Sequence, residues 1–242
     1  KDLLMLDTIP VFIFVMDILG TFVFAITGAF RAIKYEMDLL GVFALATAVG
    51  VGGGMTRDVL LGIAPPAALG SSVYLPTACA AGACVFLFAH RIAPAWRKIL
   101  YADAVGLGLL TAIGAAKAHM AGLGPIGVMF IATIVSVGGS YIRDVSTGEL
   151  PLIFTRDIYA SAAAAGGFVY WALETALPGG QIAFWAAFGV TVIIRMAALL
   201  HPVNLPISRR LPASPSQIAR GFPTVAKERK GSADSEKDSG KR

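Results

Sequence analysis

A sixteen-residue stretch occurs twice in this chain, and its spacing constrains the fold more than any other feature. GVGGGMTRDVLLGIAP at 50–65 returns as SVGGSYIRDVSTGELP at 136–151, an offset of 86 residues. The same register pairs Asp17 with Asp103, Gly20 with Gly106, Gly28 with Gly114, Arg31 with Lys117, Gly41 with Gly127 and Thr47 with Thr133. Inside the stretch, Gly52, Gly53, Arg57, Asp58, Gly62 and Pro65 meet Gly138, Gly139, Arg143, Asp144, Gly148 and Pro151. A weaker match at offset 85 sets Tyr74 against Tyr159. Any two Gly- and Ala-rich helices align small residues by composition, but composition does not place two GG-x-x-x-RD motifs in register with their Asp, Gly and Pro partners.

What the repeated unit is made of decides its solvent. Of 242 residues, 56% are hydrophobic and 14% charged, with a mean hydropathy of +0.73. Soluble domains carry about a quarter charged residues, so this chain has too few charges to cover itself in water, and lipid must cover the rest. Seven apolar stretches, at 10–30, 39–62, 73–90, 101–122, 125–148, 157–175 and 181–200, are each long enough for a bilayer core of ~30 Å. Three spans fall in each copy, and an odd number makes the two copies enter the membrane from opposite sides. The sequence thus predicts an all-α integral membrane protein. Its transmembrane domain covers 1–202, as two inverted three-helix repeats (about 10–90 and 101–175) followed by a seventh helix at 181–200.

The net charge of +5 does not read as nucleic-acid binding, because residues 203–242 hold nine of the 20 Lys and Arg but four of the 15 Asp and Glu. The body is neutral, and the polar, Ser- and Pro-rich tail reads as disordered. Arg31, Lys34, Arg91, Arg97, Lys98, Arg156, Arg209 and Arg210 fall after spans 1, 3, 5 and 7, against mainly Lys1 and Lys117 on the other side. The excess predicts a cytoplasmic C-terminus and an external or lumenal N-terminus. No signal peptide is expected before Pro10, and Cys79 and Cys84, five apart in an apolar segment, predict neither a disulfide nor a metal site.

The polar groups inside the spans are the candidates for chemistry. Gly52, Gly53 and Gly54 in span 2, and Gly138, Gly139 and Ser140 in span 5, predict a kink or break with exposed carbonyls beside a water-filled path. Arg57 with Asp58 and Arg143 with Asp144 are costly in lipid unless paired or hydrated. At 1.5 Å per residue Arg57 lies ~27 Å along span 2 and Asp17 ~10 Å into span 1. An Asp17–Arg57 pair near one mouth is therefore expected, with Asp103–Arg143 as its mirror. Such pairs also serve simply to hold helices together. Thr47, Thr133 and Ser136 could offer hydroxyls to a pore, although bonds back to their own helices are the commoner use. Lys117 and His119 read as interfacial anchors near the end of span 4, Arg195 as a snorkelling residue, and Trp96, Trp171 and Trp185 as packing or interface residues. An enzyme is disfavoured: His90, His119 and His201 are scattered, and the glycine stretch lacks the Lys-Ser/Thr ending of a phosphate loop.

With seven spans, an inverted three-helix repeat and GGGMTRD matched by GGSYIRD, residues 10–200 resemble the prokaryotic branch of the trimeric intracellular cation channel family. The resemblance implies a homotrimer with a pore in each subunit, around kinked spans 2 and 5, passing potassium or sodium and contacting membrane lipid, with no cofactor. The matching pore positions are Gly52, Gly53, Gly54, Gly138 and Gly139; Ser140 departs from the pattern, which implies unequal bending. Animal members carry basic lipid-binding motifs where this chain has only Arg57 and Arg143, so phosphoinositide dependence is not implied. Bacterial proteins with the same doubled domain are also described as glycine transporters, which keeps a secondary transporter for a small solute as the alternative.

Overall fold

The computed structural model describes residues 2–92, 96–155, 158–179 and 181–200. Lys1, Arg156, His201, Arg209, Arg210 and the whole tail lie outside the described residues, as do the side chains of His90, Arg91, Trp96, Arg97 and Lys98. Among those described, the protein is helical throughout: α1 (Asp2–Lys34), α2 (Leu39–Leu60), α3 (Ala67–Gly70), α4 (Tyr74–Ile92), α5 (Trp96–Met120), α6 (Pro125–Ser146), α7 (Leu152–Thr155), α8 (Ala160–Ala176) and α9 (Ile182–Leu200). Five of these helices are long and apolar enough to cross a membrane, within α1, α2, α5, α6 and α9. The chain is a multi-pass membrane protein.

The helices overrun the apolar stretches where charge does not oppose them. α1 ends on Arg31 and Lys34 rather than near residue 30, because cations in a last turn face the negative end of the helix dipole. α5 starts at Trp96 rather than 101, which places Asp103 two turns inside it. The short helices α3 and α7 have no counterpart in the sequence pattern of the connections that contain them; a four-residue helix carries no periodicity to detect.

Matched residues end matched helices. α2 and α6 both terminate through a glycine in the left-handed region, Gly62 at φ +71° and Gly148 at φ +68°. Beyond them the Ile63 amide donates to the Asp58 carbonyl at 2.8 Å and the Glu149 amide to the Asp144 carbonyl at 3.0 Å. These are the i to i−5 bonds of a helix stop that needs glycine at that place. The reversal turns the chain back over each Arg-Asp pair and delivers α3 and α7 to them.

α1 packs on α2, α4 and α5, while α5 packs on α6, α8 and α9; α2 and α6 join the two sets, and α9 lies on α5 and α8. The main core is built from small and branched residues of these faces, among them Ala25, Ala29, Val49, Ala112, Ile113, Ala132 and Val135. With lipid on the outside, helix association relies on close packing of small residues rather than on exclusion of water.

Candidate functional site

Two buried charge nests lie within this bundle, built from the same residue types at the same repeat positions. In the first, Arg57 Nη1 and Nη2 donate to the two carboxylate oxygens of Asp17 at 3.1 and 3.0 Å, while Nε donates to Asp58 Oδ1 at 2.8 Å. Tyr74 Oη donates to Asp17 Oδ2 at 3.1 Å, and Lys117 Nζ lies 2.9 Å from the same oxygen. The other oxygen of Asp58 accepts the Ala67 amide at 2.8 Å, so a carboxylate caps the first turn of α3. Arg57 is only 1% exposed. A guanidinium so enclosed persists because two carboxylates accept its fork of donors.

The second nest repeats the plan. Arg143 Nη1 donates to Asp103 at 2.7 Å and Nε to Asp144 Oδ1 at 3.0 Å; Tyr159 Oη donates to Asp103 Oδ2 at 3.0 Å, and the Leu152 amide to Asp144 Oδ2 at 3.0 Å. Ala67 and Leu152 stand 85 apart rather than 86, because the first copy has one more residue after its glycine stop. That single residue accounts for the shifted match of Tyr74 with Tyr159.

Each nest also takes a base from the opposite copy. Lys117 of α5 reaches Asp17, and Arg31, its counterpart on α1, reaches Asp144 at 3.2 Å. α1 therefore runs from the first nest at Asp17 to the second at Arg31, fourteen residues further, or ~21 Å along a helix. α5 runs the same length from Asp103 in the second nest to Lys117 in the first. The two helices are thus oppositely directed.

Arg31 is held by more than Asp144. It pairs with Glu149, which also accepts from Lys34 Nζ at 2.9 Å and from the Tyr35 hydroxyl. Burial pushes the Glu149 carboxyl up, but hydrogen bonds from Tyr35, Lys34 and Arg31 and the nearby Arg31 charge outweigh it and hold it at about 2. The Tyr35 phenol is raised, first by its hydrogen bond to Glu149.

Between the nests, α2 and α6 cross at the glycines. Neither helix breaks there: each is a single α-helix through its cluster. A Cβ at Gly53 would collide with the Val135 carbonyl oxygen and one at Gly52 with the Ile142 side chain. At Gly138 it would come within 3.3 Å of the Gly53 Cα, and at Gly139 within 2.8 Å of the Phe24 ring. The expected break is absent, and close backbone contact uses the missing side chains. Gly54 and Ser140 stand outside the tightest contact: the nearest atom to a Cβ at Gly54 is Arg57 Nη2 at 3.7 Å, and Ser140 bonds back to the Val137 carbonyl at 2.8 Å. Ser136 and Thr133 likewise bond back, to Ala132 and Met129. Thr47 lies 3.7 Å from Cys79 Sγ.

Two spaces adjoin these groups. A cavity of about 10 Å³ touches Asp17, Thr21, Gly54, Arg57, Asp58 and Tyr74, room for about one water. An apolar groove of about 290 Å³ runs along α6 past Thr133, Val137, Gly138, Tyr141 and Ile142, with Thr56 of α2 opposite.

Several participants differ from their expected roles. Lys117 is a nest member rather than an interfacial anchor, and Arg195 is 2% exposed and stacked over the Tyr159 ring at 4.6 Å rather than snorkelling. His119 packs edge-on near Tyr170. Arg31, expected only as a topology charge, belongs to the second nest. The offset pairing of Arg31 with Lys117, and of Tyr74 with Tyr159, is the sequence signal that points to them.

Oppositely directed helices carrying matched charge nests define a class: polytopic membrane proteins built from a duplicated helical domain. The chain belongs to the family described as "Glycine transporter", whose domain matches it twice, at 14–91 and 100–175. It is 37% identical over 199 residues to a UPF0126 membrane protein of Deinococcus radiodurans, covering 81% of this chain and 92% of the relative. It is 36% identical to the UPF0126 inner membrane protein YadS of Escherichia coli, covering 79% and 93%. Among solved structures it resembles one described as showing the structural basis for conductance through TRIC cation channels, at a TM-score of 0.75 and 36% identity over 83% of this chain and 98% of that one. The TRIC trimeric intracellular cation channel orthologue from Rhodobacter sphaeroides matches at 0.75 and 32%, over 79% and 98%. Its relatives are membrane proteins and channels, and the chain is not an enzyme.

Proposed function

We propose that the protein is a monovalent cation channel, passing potassium, with a path through each subunit of a homotrimer in a prokaryotic inner membrane. The observation that carries this reading is the likeness, at 36% identity over 83% of this chain and 98% of the other, to a chain described as a TRIC cation channel. In this reading the helices form seven spans, two inverted sets of three plus α9, with the N-terminus external and the C-terminus cytoplasmic. The first nest then stands at the external mouth and the second at the cytoplasmic mouth. The crossing of α2 and α6 at Gly53 and Gly139 lies between them.

Each nest suits a cation gate. Bare arginine in a narrow mouth repels cations, so Asp17 with Asp58, and Asp103 with Asp144, must balance Arg57 and Arg143. Opening requires the two helix sets to part at the glycines, which carries the nest carboxylates toward water. Thr47, Thr133 and Ser136 would turn their hydroxyls to the path only in that separated state, since Thr133 and Ser136 bond their own helices in this one. The apolar groove along α6 is where membrane lipid would lie.

The second reading, a transporter for glycine, is favoured by one observation, the description of the family whose domain matches both halves. A carboxylate beside a guanidinium also complements the two charges of a zwitterion. The deciding experiment places the purified protein in one lipid mixture and compares potassium current in a planar bilayer with uptake of radiolabelled glycine into liposomes. Unitary ohmic steps reversing at the cation equilibrium potential support the channel. Saturable glycine uptake without unitary steps supports the transporter and discards the channel.

A further inference from the structure

The two nests are not equal. In the first, Asp17 receives both a guanidinium and the Lys117 ammonium. In the second, Asp103 receives the Arg143 guanidinium and the Tyr159 hydroxyl, while Arg31, the counterpart of Lys117, bonds Asp144 and Glu149 instead. Repeat partners Arg31 and Lys117 start from equivalent places on equivalent helices, so something must direct Arg31 elsewhere. Glu149 is that difference: its counterpart in the first copy is Ile63, and those of Lys34 and Tyr35 are Met120 and Ala121, none of which can form such a strap.

We propose that Glu149 is a positioning residue that, by drawing Arg31 onto Asp144 and itself, keeps Arg31 off Asp103 and makes the two mouths electrostatically unequal. It touches no permeating ion and acts through Arg31. Arg31 lies one turn beyond Thr27 on α1, and Arg143 Nη1 bridges Thr27 Oγ1 at 3.4 Å and Asp103 at 2.7 Å, which sets Asp103 on the same side of the nest that Arg31 enters. Asp144 Oδ1 accepts from Arg143 and Arg31 together. With Glu149 removed, Arg31 loses a carboxylate partner on the loop, and Asp103 becomes its better second partner, as Asp17 is for Lys117 in the first nest. Asp103 would then carry two basic partners in place of one, as Asp17 does in the first nest.

The consequence for function rests on the channel reading; the rearrangement itself does not. The first measurement is therefore independent of flux. Melting temperatures of the full-length protein in detergent are compared for Arg31→Gln, Asp103→Asn and the double variant, in the wild-type background and in a Glu149→Ile background, which carries the residue type the first copy holds. Additive losses are expected with Glu149 present, and losses that fall several degrees short of additive in the Glu149→Ile background. Glu149→Gln serves the same purpose if the isoleucine variant does not fold, and Glu149→Asp should restore additivity. Additivity in both backgrounds overturns the proposal. The second measurement is the single-channel current–voltage curve in symmetric potassium chloride. Wild type is expected to rectify, and Glu149→Ile to bring the ratio of currents at opposite voltages close to one, with Glu149→Asp rectifying like wild type. Absence of unitary currents in every variant would discard the channel reading alone. Currents with the same rectification in wild type and Glu149→Ile would overturn the claim of unequal mouths.

Discussion

Arg57 and Arg143 determine what the interior can tolerate. Removing the Arg57 charge as Arg57→Gln leaves Asp17 and Asp58 buried with fewer donors, which is expected to cost about 3–5 kcal/mol, read as a fall in melting temperature in detergent. Exchanging the charges of Asp17 and Arg57 together should recover part of that loss; two single variants and a double that are all equally unstable would discard the pair as a unit. Glu149 supplies a pH prediction whose sign is fixed by its position at about 2. A carboxyl held below its unfolded value of ~4.3 contributes stability above that value and loses it as pH falls through about 2. The strap should therefore survive at pH 4, checked by titrating the carboxyl carbon of isotopically labelled Glu149. Glu36 holds a φ of 54° where the second copy places Gly122 at 79°. Glu36→Gly should thus stabilise the protein by about 1 kcal/mol, seen as a higher melting temperature; a lower one would mean that the side chain contributes something the backbone geometry hides.

Among the elements, α2 and α6 test what the glycines are for. Gly53→Ala drives a methyl into the Val135 carbonyl, whereas Gly54→Ala meets only the edge of Arg57. The first should cost about 1–3 kcal/mol and lose flux, and the second should stay within about 0.5 kcal/mol of wild type; equal losses would assign the cluster to backbone flexibility rather than to the crossing. Here sequence and structure part most instructively. Consecutive glycines predict a break when low helix propensity is weighed and contact is not. Propensity is a local property visible in sequence, while the opposing Val135 carbonyl belongs to a helix 82 residues away. The long helices are legible because their apolar stretches match bilayer thickness. α3 and α7 are not, being placed by the glycine stops and by Asp58 and Asp144, whose acceptors become visible only when the chain turns back.

At the scale of the whole molecule, the pairing of Asp17 with Arg57 and of Asp103 with Arg143 is legible because the offset of 86 residues puts each pair forty residues apart in both copies. The same offset marks Lys117 and Arg31 as a matched pair but not their partners, because their contacts cross from one copy to the other and an internal alignment compares the copies without saying where they touch. The orientation proposed for the channel has its own check. In a background lacking Cys79 and Cys84, Ala121→Cys, exposed after α5, should react with membrane-impermeant maleimide from outside the cell, and Ser146→Cys, exposed at the end of α6, only after permeabilisation; labelling of both from outside would refute the topology. The exchange of bases between the copies reaches further. Each half lends the other a cation: Lys117 completes Asp17, and Arg31 completes Asp144. A chain cut between α4 and α5 would yield two fragments, each carrying an acidic pocket short of its counter-charge and a basic group with nowhere to go. Such fragments would complete each other's charges only with α1 and α5 running in opposite directions, so the two halves should assemble when made together and fail when made apart.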